Sequence, residues 1–82
     1  DYQLSYYAQI YAFHSLEKAK QQQIRWSQHG QIPVKIGYSE GESTPYKVLI
    51  GPFHNRAITV HFLRSNGLKG FPKAAHELQV FQ

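Results

Sequence analysis

Five histidines, five acids and no cysteine are the raw material for catalytic or metal chemistry in this chain of 82 residues. The histidines are His14, His29, His54, His61 and His76. No two stand four apart, the spacing that sets two imidazoles on one helix face around a zinc ion. The acids are Asp1, Glu17, Glu40, Glu42 and Glu77, and none makes a convincing acid–base pair with another acid or a histidine. There is no thiol nucleophile. Glu40 and Glu42 flank Gly41 in a stretch without apolar residues and read as solvated charges. The expectation is therefore no metal, no cofactor and no active site, with any catalysis by a parent protein residing in another domain. What remains is recognition chemistry. Tyr7, Gln9 and Tyr11 alternate along one run, Lys35 lies between Val34 and Ile36, and Lys47 and Leu49 alternate along another. Phenols, an amide and ammonium groups can together hold a polar polymer across a shallow surface.

The elements that carry these groups are legible from a repeat. Tyr6 to Ser15 aligns with Tyr46 to Asn55 at Tyr6/Tyr46, Ile10/Ile50, Phe13/Phe53 and His14/His54, and Ser15 and Asn55 are both good helix N-caps. Each copy reads as strand, turn, aromatic and helix start, and shared descent accounts for the matched histidines. In the first strand, alternation assigns Tyr6, Ala8 and Ile10 to the core and Tyr7, Gln9 and Tyr11 to the opposite face. Ser15 opens a helix to about His29, ended by Gly30, with Leu16, Ala19, Gln23, Ile24 and Trp26 as its inner stripe. A second strand covers Val34 to Tyr38. In the third, Tyr46, Val48 and Ile50 face inward while Lys47 and Leu49 join Gln9. Gly51-Pro52 forces a turn. Asn55 caps a second helix through about Asn66, closed by Gly67, with Ala57, Val60 and Leu63 inward and Ile58 and Phe62 flanking.

The tail supports two readings. Phe71-Pro72 echoes Ile32-Pro33 and predicts a strand within 74–81; alternatively Pro72 to Leu78 forms a helical turn and only Leu78 to Phe81 is strand. Either way the order is β-α-β-β-α-β. The predicted fold is α+β and ferredoxin-like: a four-stranded antiparallel sheet with two helices on one face and the other face open. One domain spans 1–82, with its core at about 4–81.

Composition bounds the partners. Nine Lys/Arg against five Asp/Glu give +4 and a pI near 9.5. That balance favours nucleic acid, membrane headgroups or an acidic polysaccharide, although the basic residues are scattered. No apolar run approaches the roughly 20 residues that cross a bilayer. The chain begins at Asp1 and contains no methionine. It is expected to be a module of a longer precursor that carries any targeting segment.

In order and spacing, Tyr7-Ala8-Gln9-Ile10, Phe13, Ala19, Gly30 and above all Tyr46-Lys47-Val48-Leu49-Ile50-Gly51-Pro52-Phe53 resemble the SPOR domain, a peptidoglycan-binding module of bacterial envelope and division proteins. Tyr11-Ala12 stands where many members have Gly-Ser, and Lys47 where Arg is usual, which keeps the charge and loses the bidentate fork. The resemblance implies a non-catalytic periplasmic monomer without direct membrane contact. It implies binding to glycan strands that lack stem peptides, which are enriched at division septa. Each muramic acid of such a strand bears a free lactyl carboxylate, suited to Lys47 with Lys35 beside it, while Tyr7 and Tyr11 suit sugar faces and Gln9 suits amides and hydroxyls. The implied glycan site is Gln9, Tyr7, Tyr11, Lys47, Leu49 and Lys35. A nucleic-acid reading shares the topology, but the third strand lacks the glycine-aromatic alternation of RNA-recognition domains. A protein-interaction module of the same fold is the third reading.

Overall fold

The computed structural model describes residues 5–28, 30 and 32–81; the expectations for Asp1 and His29 fall outside them. The elements are β1 (Tyr6–Phe13), α1 (Leu16–Ser27), β2 (Val34–Tyr38), β3 (Tyr46–Phe53), α2 (Arg56–Ser65), β4 (Phe71–Ala74), a 3-10 turn (Ala75–Glu77) and β5 (Gln79–Val80). Both tail readings are thus partly realised: a strand, then a helical turn, then a second strand.

Local chemistry explains the helix ends. The Asn55 side chain accepts a hydrogen bond from the Ile58 amide at 2.8 Å, satisfying one donor of the first turn of α2. At the other end Gly67 takes φ +63. Its amide donates to Arg64 O and that of Leu68 to Leu63 O, which closes α2 in a Schellman turn and folds Leu68 back onto the core. The first helix is less well finished. Ser15 sits at its N-cap but makes no side-chain cap bond, and the helix stops at Ser27, capped by Gln28. Gly30, expected to end it, is not in the left-handed region.

Antiparallel pairing builds one sheet in the order β4-β1-β3-β2-β5, so the expected four-stranded sheet has five strands. Ala8, Ile50 and Leu63 form one buried cluster against Trp26 and Phe62; Ala19, Ile36 and Val48 form a second beneath α1. Both helices therefore cover the same face. The inner stripes shift from expectation. Ile24 is exposed on α1 and Ala57 on α2, whereas Thr59 is wholly buried. Thr59 tolerates this because its hydroxyl donates to Asn55 O at 2.9 Å.

The second face is not open as expected. β4 lies on one edge, where Ala74 pairs with Tyr6, and β5 lies on the other, where Gln79 pairs with Tyr38. Four strand spacings amount to about 19 Å in a flat sheet, but the five residues from Ala74 to Gln79 reach at most about 18 Å fully extended. The 3-10 turn shortens that further, so the sheet curls. The connection crosses the helix-free side diagonally and sets Leu78 over Gly37. A Cβ added to Gly37 would meet Leu78 Cβ at 3.6 Å and Leu49 Cδ1 at 2.9 Å.

Candidate functional site

Register decides which of the six candidate residues come together. Gln9 pairs with Leu49 on one side and with Phe71 on the other, and Leu49 pairs with Lys35. Phe71, Gln9, Leu49 and Lys35 therefore form one row across the helix-free face. Tyr7 lies beside Lys73, and Lys47 lies between Ala12 and Gly37, all on the same face.

Tyr11 does not join them. Gln9 opposes Leu49 and Tyr11 opposes Val48, so Ile10 is an extra residue, a bulge in β1. The bulge inverts the alternation, and Ile10 and Tyr11 both turn toward the helices. The Tyr11 ring stacks on Phe13 with centroids 5.8 Å apart and lies 6.4 Å from that of Trp26. Its expected place on the helix-free face is corrected accordingly, though it stays partly exposed on the edge of β1.

The remaining candidates are more buried than an open face implies. Tyr7 is 8% exposed, Gln9 7%, Lys47 3% and Leu49 0%; Lys35 is half-buried. The ammonium of Lys47 is already partnered. Its Nζ donates to Glu42 Oε1 at 2.5 Å, and Ser39 Oγ donates to Glu42 Oε2 at 2.7 Å. Glu42 is exposed, as its loop suggests, but it is also ion-paired. These two hydrogen bonds, Lys47 first, hold its carboxyl below the usual glutamate range, and the charges of Lys47 and Lys73 add to the effect. A depressed folded value means that the contribution to stability is present above the unfolded glutamate range and is lost as pH falls through the folded value. Thermal melts from neutral pH into that acidic range should show wild type losing more stability than Glu42→Gln. Parallel losses would mean that the ion pair does not persist in solution.

Gln9 stands out chemically. Its Oε1 is buried and has no hydrogen-bond partner, although buried amide oxygens nearly always have one. Beside it is a groove of about 350 Å³, lined by Gln9, Tyr11, Ala12, Lys69, Gly70 and Phe71 among others. The groove forms because the pairing of β4 with β1 stops at Gln9, leaving the rest of β1 uncovered on that edge. Phe71 is half exposed on the groove's margin. Lys69 is exposed there too, and Lys73 lies farther along β4, 3.9 Å from Glu77. Sequence reasoning missed Phe71, Lys69 and Lys73. Phe71-Pro72 marks a strand start, but no pattern says which strand it will join.

A larger cavity of about 530 Å³ lies on the helix side, lined by Trp26, Ile32, Phe62 and Leu68 among others, with no charged side chain. It has nothing to offer an anion. Among the described residues no three potential metal ligands cluster, and no helix is long and apolar enough to cross a membrane.

The sequence model of the SPOR domain family matches residues 5–71, and the chain belongs to that family. SPOR domains are non-catalytic modules that bind peptidoglycan and occur in envelope and division proteins. Comparison with curated proteins and with solved structures returned no match.

Proposed function

We propose that this SPOR domain binds peptidoglycan glycan strands whose stem peptides have been removed, and so carries its parent protein to the division septum. It acts as a periplasmic monomer, without enzymatic activity and without touching the membrane. The observation that carries this reading is the unpartnered, buried Oε1 of Gln9 beside the exposed ring of Phe71. An N-acetyl N–H or a sugar hydroxyl supplies the missing donor, and the aromatic ring packs on the apolar face of the same sugar. Lys69 on the groove margin, with Lys73 and Lys35 farther along the same side of the sheet, suits a polymer that repeats a carboxylate. Because Lys47 is paired with Glu42, these three cations carry the first encounter. Tyr7 and Leu49 shape the floor.

The test is retention of the purified domain on two sacculus preparations, intact and stripped of stem peptides by an amidase. Preferential retention on stripped sacculi is the expected result. Equal retention on both would remove the specificity for bare glycan, and retention on neither would defeat the reading. A single-stranded RNA titration run in parallel is expected to give no saturable binding.

A further inference from the structure

The family match ends at residue 71, the first residue of β4. The 3-10 turn and β5, which cross the helix-free face, lie beyond it. This stretch lies against part of what the proposed reading needs: Leu78 sits at the Gly37 seat beside Leu49. Leu49 is wholly buried, so no polymer can lie on it while Leu78 is in place.

The crossing is lightly held. Two residue pairs join β5 to β2, Gly37 with Val80 and Tyr38 with Gln79. The Phe81 amide donates to Ile36 O at 3.0 Å, and at the far end the Ala75 amide donates to Ser5 O at 2.8 Å. Leu78 rests on the seat that Gly37 leaves beside Leu49. Yet none of residues 71–81 is itself buried. A segment that covers a core without belonging to it is the kind that opens locally while the remainder stays folded.

We infer that residues 75–80 form a strap that closes the glycan-binding face of the free domain and lifts from β2 when a strand binds. The inference rests on the glycan reading given above. Opening pivots at Ala75, releases the two β5 pairs and withdraws Leu78 from Gly37. Leu49 then becomes continuous with the groove at Gln9 and Phe71. The glycan takes the place of the strap, so the closed state lowers the apparent affinity by the fraction of molecules that are shut.

The experiment uses the full chain on stripped and intact sacculi, with two variants. Leu78→Ala removes the plug and is expected to raise retention on stripped sacculi at least threefold. The double variant Tyr38→Cys/Gln79→Cys fastens β5 to β2 by a disulfide, the sole one possible in a chain without cysteine. Its oxidised form is expected to be retained at least threefold less than its own reduced form, with thiol titration verifying the bond and far-UV circular dichroism the fold. A Leu78→Ala protein that binds no better than wild type, or a locked form that binds as well as the reduced one, overturns the strap. Wild type that prefers stripped sacculi while Leu78→Ala gains nothing sinks the strap alone. Failure of wild type, Leu78→Ala and the reduced double variant to prefer stripped sacculi sinks the glycan reading and the strap with it.

Discussion

Gln9→Leu makes the domain more stable and a poorer binder at once. Leaving a buried amide oxygen without a donor costs on the order of 1–3 kcal/mol, and Gln9 Oε1 is in that state. Leucine has a similar volume, suits the neighbouring Leu49 and carries no group to satisfy. Recovering about 1 kcal/mol corresponds to a rise of about 4–8 °C in thermal midpoint for a domain of this size. The same substitution removes the acceptor that the ligand is proposed to meet. A net loss of about 1.4 kcal/mol is a tenfold fall in affinity, so retention on stripped sacculi should drop about tenfold or more. Opposite signs in the two measurements identify a residue kept for binding at the expense of folding. If Gln9→Leu lowers the midpoint instead, the amide is satisfied in solution. If binding is unchanged, the ligand does not reach Gln9.

The second large effect comes from Gly70, just before β4. A Cβ there would stand 2.4 Å from the carbonyl oxygen of Gln9 and 3.1 Å from Leu63 Cδ2. The first of these contacts lies below any separation that side chains tolerate, and it is made with backbone. The obstructing oxygen cannot swing away as a flexible side chain would, because Gln9 is held between Leu49 and Phe71. The chain must therefore leave β1, and Phe71 goes with it. Gly70→Ala is expected to cost at least about 2 kcal/mol, within the range for overpacked sites, which is a fall of about 8–16 °C in midpoint. Glycan retention falls in parallel. Gly30→Ala is the control: its nearest neighbour is 4.0 Å away and its φ is not positive, so it should remain within about 0.5 kcal/mol of wild type. Equal effects at the two glycines would show that Gly70 is not a point of close approach.

Much of the fold was legible because short-range chemistry decides it. Asn55 and Gly67 delimit α2 through bonds within a few residues of themselves, and both were readable. The alternation of Val48, Ile50, Lys47 and Leu49 correctly sorted β3 between the two faces. The misreadings arise where distant contacts prevail. One inserted residue at Ile10 reverses the parity of β1, and only the pairing with β3 reveals it, so strict alternation put Tyr11 on the wrong side. Glu42 is exposed as expected, but its pairing went unread because its partner, Lys47, belongs to the following strand. Thr59 was not among the expected core positions of α2, yet it is buried, with its hydroxyl satisfied within its own helix. The fate of the tail depended on which edge each short strand would join, and four or two residues carry too little pattern to say. The candidate site was therefore half legible: its floor could be named, but not its margin at Phe71 and Lys69 or the cover above it.

The interior position of β1 has a consequence for how the domain is made. The strand translated first is flanked by partners that come much later: Gln9 waits for Leu49, 40 residues downstream, and for Phe71, 62 residues downstream. Neither neighbour can dock while the chain is still threading out of a ribosome or an export channel. An aromatic-rich strand with both edges bare is a template for the wrong partner during that interval. Sheets built from such distant pairings also close slowly. Yield in the cell should therefore depend on how long the unfinished chain is shielded, and slower elongation late in the domain would penalise it more than the same delay early on.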